Sequence, residues 1–225
     1  MKPEDVVYPF VTEKPVIGIF DHIWHIPKQC DLASFTFPGW HAPLLFGNDQ
    51  PVKLEYCSGN GTWIAEKAKA DPHSNWVAVE MLFSRVKKIR AKIANHTIGN
   101  LKIICGEAYI ASKHYFPASS VQEVYINFPD PWPKRRHAPH RLIQSRFLVE
   151  LERILLPGGT VTMVTDEPAY SKQIIDLFIK HPAFASYHPA PYFLTEDIEY
   201  GSSFFRELWE SKGKTIYFHK FTRKA

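Results

Sequence analysis

One short stretch, Asn127-Phe128-Pro129-Asp130-Pro131-Trp132-Pro133-Lys134-Arg135-Arg136-His137, sets a carboxylate among three prolines and a tryptophan. Four potentially cationic side chains follow at once. Each proline fixes its own φ and restricts the residue before it. Asp130, between Pro129 and Pro131, is therefore held in place before anything binds. Held charge stabilises charge that moves during a reaction. Taken alone, Pro-Trp-Pro reads as a rigid surface turn with Trp132 plugged into the core. The cations shift the balance: His140, Arg141 and Arg146 join Lys134, Arg135, Arg136 and His137 within a short span. Such a run is most often a solvated face. At the mouth of a ligand pocket it holds phosphates, which is how a nucleic acid is oriented.

Alternating elements must position this corner. Short apolar runs at "VKLEYC", "NWVAVE", "LKIIC", "VQEVYINF" and "TVTMVTD" read as strands. Between them "TWIAEKAKA", "MLFSRVKKIRAKIAN", "RLIQSRFLVELERILL" and "AYSKQIIDLFIK" space apolar residues at helical intervals. Pro157-Gly158-Gly159 is expected to stop the third helix. Strands alternating with helices predict an α/β, doubly wound, mostly parallel sheet. "SYHPAPYFL" and "KTIYFHKF", around "SSFFRELWESKG", predict an antiparallel edge at the C-terminus. Five parallel strands plus such an edge is the Rossmann-like shape of class I S-adenosylmethionine-dependent methyltransferases, at this level by analogy. Residues 1–50 are rich in Pro, His and aromatics with weak periodicity, and read as an irregular N-terminal arm before a domain over 51–225.

In such a sheet, ligands bind beyond the carboxyl ends of the strands. Glu55, Glu80, Glu107, and Asn127 with Asp130 fall in turn at four of those ends. Gly59 and Gly61 let a backbone approach a ligand and start the helix at Thr62. An acid after the second strand accepts ribose hydroxyls, and one after the third accepts an adenine amino group. Singly the signals are weak: Glu80 alone reads as part of a helix start, and Glu55 equally as ligand contact or loop. Cys57 and Cys105 read as small buried residues rather than nucleophiles. The recurrence of the acids in order makes the site. Thr62, Trp63 and Ile64 after Gly61 break the G-x-G-x-x-G fingerprint, so the expected cofactor is S-adenosylmethionine rather than NAD.

The 225 residues carry 45% hydrophobic and 14% aromatic side chains, enough for a substantial core, and a net charge of +4. That mild charge implies no nucleic-acid partner by itself; the clustering of basic residues and several of the 11 His does. Cys30, Cys57 and Cys105 form no CxxC pair, which argues against disulfides or structural zinc and fits a reducing cytoplasm. No metal cluster, signal peptide or membrane span is expected.

From Leu45 ("LFGNDQPVKLEYCSGNG") onward the chain resembles the bacterial tRNA (guanine-N7)-methyltransferases. "FPDPWPKRRH" is the most specific motif and "VTDEPAY" a second. The resemblance implies methyl transfer from S-adenosylmethionine to N7 of a guanine in the tRNA variable loop. It implies a cofactor site of Glu55, Gly59, Gly61, Glu80, Glu107, Asn127 and Asp130, with Asp130 catalytic. It implies tRNA contacts by Lys134, Asp166 and the Ser203 region, to which Arg206 belongs; the basic run adds Arg135, Arg136, His137 and Arg141 as candidate contacts. Family members usually have Gly at Cys57, Asp at Glu107 and Arg at His140. Their T-x-x-E appears as Ser203-Phe204-Phe205-Arg206, with Glu207 next door. Two other classes stay open: a methyltransferase with another nucleic-acid or amino-group target, echoed by "NFPD", and a non-catalytic RNA-binding protein, suggested by Cys57 and Arg206. Monomer and homodimer are equally compatible with the sequence.

Overall fold

The computed structural model describes residues 1–7, 17–28 and 30–225. Residues 8–16 and 29 of the arm lie outside them. The chain forms two compact units, Met1–Pro117 and Ala118–Ala225.

The first unit holds β1 (Gly18–Phe20), β2 (Ile23–His25), β3 (Val52–Tyr56), α1 (Thr62–Ala70), β4 (Asn75–Glu80), α2 (Phe83–His96), β5 (Leu101–Cys105) and α3 (Ala108–Tyr115). Its strand order is β1-β2-β5-β4-β3, parallel from β2 to β3. All six residues of β4 are buried, as befits a central parallel strand; this is why "NWVAVE" shows no alternation. The register pairs Glu80 with Cys105 and Tyr56 with Val79, so the loops after β3, β4 and β5 leave the sheet at one end. Two short strands lie in the stretch read as irregular. β1 and β2 form a hairpin, and β2 adds to β5. Trp24 anchors them: it is 1% exposed, stacked on Phe37 at 5.1 Å, with Phe35, Tyr115 and Phe116 around it. α3 had no counterpart in the sequence reading.

The second unit holds β6 (Val121–Asn127), α4 (Ser145–Ile154), β7 (Leu155–Thr165), α5 (Pro168–Lys180), β8 (Phe184–Ser186), α6 (Phe204–Glu210) and β9 (Tyr217–Arg223). β6 and β7 are parallel; β9 pairs antiparallel with both β7 and β8, giving the expected antiparallel C-terminal edge, but its outer strand is Phe184–Ser186, and the expected strand "SYHPAPYFL" contributes only Ser186 and a single bridge from Leu194 to Phe218. Pro157-Gly158-Gly159 does not merely stop a helix. α4 ends at Ile154, β7 begins at once, and the register slips between Val121 and Glu123 opposite the glycines. A Cβ at Gly159 would stand 2.8 Å from the carbonyl oxygens of Gln122 and Leu156, so only glycine fits this irregular strand start. Phe178 of α5 stacks on Phe221 of β9 at 4.4 Å and closes the core. Among the described residues no helix is long and apolar enough to cross a membrane.

Candidate active site

In the first unit, Glu55 is the last residue but one of β3 and almost fully buried, and the chain then turns through Cys57, Gly59 and Gly61, all at positive φ (61°, 58° and 72°). Ser58 Oγ donates to the Glu55 carbonyl at 2.9 Å and closes the turn. The glycines do different work. Gly61 sits at the N-cap of α1, and a Cβ there would come within 2.6 Å of Ile89 Cγ1 on α2, so its reason is helix packing. Gly59 donates its N–H to Glu80 Oε2 at 2.9 Å. The left-handed backbone at Cys57 favours glycine, and a cysteine there stores about 1–2 kcal/mol.

Glu80 is the hub of this end. Besides Gly59, its Oε1 accepts from Leu82 N at 2.9 Å, and Arg85 Nη1 stands 3.7 Å from Oε2. The carboxylate is 5% exposed and ties the loop after β3 to the loop after β4. Sequence reasoning gave it a ligand role and missed this one. Met81 and Leu82, beside it, are 47% and 46% exposed, an apolar step at the sheet end that no periodicity signals. Glu107 is exposed at the N-cap of α3, where its side chain makes no cap hydrogen bond. Cys105 is buried; desolvation first, then Glu80, pushes its thiol up to about 12, so it stays protonated and is no nucleophile.

In the second unit, Asn127 is buried at the end of β6, and Phe128 turns the chain at φ 46°, its N–H donating to the Val164 carbonyl at 2.9 Å. Pro129 is buried, while Asp130 is exposed and pairs with no cation among the described residues. Trp132 does not plug the core. It is 38% exposed at φ 42°, edge-on to His137 at 5.7 Å and tilted against His140 at 5.3 Å. Residues Arg135–His140 form a 3-10 turn that leaves Lys134, Arg136 and His140 exposed, with His137 half-buried. The side chain of Arg135 lies outside the described residues.

Arg141, expected among the phosphate-holding cations, faces inward. It is 6% exposed; Nε donates to the Pro131 carbonyl at 2.7 Å, Nη2 to the Trp132 carbonyl at 3.4 Å and Nη1 to Gln173 Oε1 at 2.6 Å. Its guanidinium lies 4.9 Å over the Tyr170 ring. A buried, fully engaged fork is a strut, not a rim cation.

Asp166 follows β7 and is ion-paired with Lys214, which also lies 4.0 Å over the Trp209 ring. Ser203 caps α6: its buried Oγ accepts from Arg206 N at 3.2 Å. The S/T-x-x-E pattern is thus a capping box, and Arg206 stands where the reciprocal acid would. Arg206 instead donates to the carbonyls of Asp197 (3.0 Å) and Gly201 (2.8 Å) and to Glu210 Oε1 (2.8 Å). Its guanidinium, expected at the substrate, is thus engaged with acceptors of its own chain. Glu207 is exposed and accepts from Ser202.

The family described as "Putative methyltransferase" matches residues 49–219. A Chlamydia muridarum protein described as tRNA (guanine-N(7)-)-methyltransferase is 40% identical over 228 residues, covering 100% of this chain and 99% of its own length. One of the same description from Rubrobacter xylanophilus is 32% identical over 193 residues, 84% of each chain. Among solved structures, the aminoglycoside resistance methyltransferase NpmB1 superposes with a TM-score of 0.51 at 18% identity, over 77% of this chain and 87% of its own; this is a likeness of fold.

Proposed function

Since the chain belongs to the tRNA (guanine-N(7)-)-methyltransferase family, with the Rossmann-like fold of class I methyltransferases, we propose that it methylates N7 of a guanine in the variable loop of tRNA, using S-adenosylmethionine. The observation that carries the reading is an exposed carboxylate, Asp130, locked between two prolines, paired with no cation among the described residues, and followed directly by the exposed basic side chains of Lys134, Arg136 and His140.

The first unit suits the cofactor. Glu80 uses one lone pair of each oxygen on Gly59 and Leu82, which leaves about two of a carboxylate's roughly four acceptor positions for ribose hydroxyls. The exposed apolar faces of Met81 and Leu82 suit a purine, and the uncapped Glu107 carboxylate suits its amino group. Glu55 and Gly59 complete this set. S-adenosylmethionine supplies, when bound, a methyl carbon activated by a cationic sulfur.

Guanine N7 carries a free lone pair, so no side chain has to remove a proton before attack. The work is alignment and charge. Asp130 supplies negative charge against the positive charge that alkylation puts on the purine. Asp166 keeps acceptor positions beyond its pair with Lys214; a carboxylate accepting from guanine N1–H and the 2-amino group excludes adenine, which lacks both donors. Lys134, Arg136 and His137 hold tRNA phosphates, and Arg135 joins them by sequence. The test is incubation with unmodified tRNA and methyl-labelled cofactor, followed by mapping of the base. Label at N7 of a variable-loop guanine is expected. Label on another atom or on protein, or none with cofactor bound, would refute the assignment.

A further inference from the structure

Arg141 is a buried cation that the proposed chemistry does not use, and its partners are informative. Two of its hydrogen bonds go to the carbonyls of Pro131 and Trp132, the two residues that follow Asp130. On its other side it is gripped by α5: Gln173 Oε1 accepts from Nη1, and Tyr170 lies beneath the guanidinium. Both partners are themselves fixed, since Gln173 Nε2 donates to the Ile143 carbonyl at 2.8 Å and the Tyr170 hydroxyl accepts from Ile143 N at 3.1 Å. No carboxylate among the described residues pairs with Arg141, so the charge is buried against neutral acceptors alone, a costly arrangement for a mere tie. The corner needs a restraint, because Trp132 holds a positive φ that persists only when its surroundings enforce it. α5 begins at Pro168, two residues beyond Asp166. The same strut therefore links the loop of Asp130 to the helix that starts beside Asp166.

We propose that Arg141 is the positioning residue of Asp130: its guanidinium clamps the backbone after Asp130 onto α5, sets that carboxylate relative to Asp166, and does not touch tRNA. This rests on the reading of Asp130 as the charge that assists methyl transfer. Loss of the clamp acts on the rate at saturation, not on tRNA affinity, whereas loss of a phosphate contact does the reverse.

The experiment compares wild type with Arg141→Lys, which keeps the charge and loses the fork, and with Gln173→Met, which keeps the volume and loses the acceptor. Single-turnover methylation at saturating tRNA and cofactor, tRNA affinity across salt, and amide exchange at Trp132 and Lys134 are measured on each. A loss of about 100-fold in saturating rate is expected for Arg141→Lys, the scale of a 1 Å misplacement. Gln173→Met should lose less. Both should show faster exchange at the two amides, with tRNA affinity and salt slope unchanged. If Arg141→Lys fails to fold, Gln173→Met decides alone. Wild-type saturating rates in the folded variants would overturn the proposal, as would a loss confined to affinity with a salt slope lower by about 0.7–0.9. A wild-type protein that methylates no tRNA would refute the function; unchanged exchange in the variants would still overturn the clamp.

Discussion

Replacing Glu80 by glutamine tests two roles at once, and the structure says how to separate them. The buried carboxylate gives one oxygen to Gly59 N and the other to Leu82 N, both at 2.9 Å. Glutamine offers one acceptor oxygen, so one of those N–H groups faces an amide NH₂ instead. The loss of one charge-assisted hydrogen bond costs about 1.5–3 kcal/mol. At about 2 kcal/mol, a domain of this size melts roughly 4–8 °C lower. That shift belongs to the cofactor-free protein and reads the pin between the two loops. The ribose contact is a separate loss of similar size, or about 10–100-fold in cofactor affinity. Thermal melts without cofactor and calorimetry with it give the two numbers independently. A lowered melting temperature with wild-type affinity would leave Glu80 as a loop pin and remove it from the cofactor site. Wild-type values in both would refute the whole account of this carboxylate.

Asp130→Asn keeps the shape of the corner and removes its charge, so single-turnover methylation should slow about 10²–10³-fold while tRNA affinity holds; a wild-type rate would make the corner architecture only. Neutralising Lys134 or Arg136 should weaken tRNA binding and flatten its log–log salt dependence by about 0.7–0.9 per contact, with cofactor affinity unchanged; an unchanged slope in the double variant would make these cations a solvated face. His219 is buried in β9, and desolvation chiefly, opposed by its bond to the Tyr192 carbonyl, lowers its folded-state value to about 4. The unfolded chain therefore takes up a proton first, near 6.5. Stability is full above that pH and falls with acidification until the ring protonates in the fold, about 3 kcal/mol in all. Urea unfolding of wild type and His219→Phe between pH 7 and 4.5 should show this loss in wild type alone; parallel curves would refute it.

The parts of this molecule that show in its sequence are those whose physics is local. β4 and β5 are continuous apolar runs because parallel strands are buried on both faces, and their ends mark where Glu80 and Glu107 must stand. Pro129 and Pro131 constrain their neighbours whatever the rest of the chain does. β1 and β2 are three residues each, too short for any period, and exist because Trp24 buries itself among aromatics distant in sequence. The inward turn of Arg141 was illegible for a related reason. In the sequence it is one more cation in a basic run, and only the approach of Gln173 and Tyr170, some thirty residues on, makes it a core residue. The packing of Gly61 against Ile89 was illegible in the sequence because Ile89 sits on another helix.

The basic cluster divides by chemistry rather than by position. Arg141 and Arg206 each satisfy several acceptors from one planar fork and rest against an aromatic ring, Tyr170 or Phe218. A lysine, as a compact and strongly hydrated charge, could not hold two or three carbonyls in fixed directions without a large desolvation cost. Lys134, by contrast, stays exposed at the start of the 3-10 turn, as the phosphate contact proposed for it requires. Counting cations after the acidic corner therefore overstates the nucleic-acid surface. Arg141 belongs to the scaffold that makes Asp130 rigid, and the salt dependence of binding should count Lys134 and Arg136 but not Arg141.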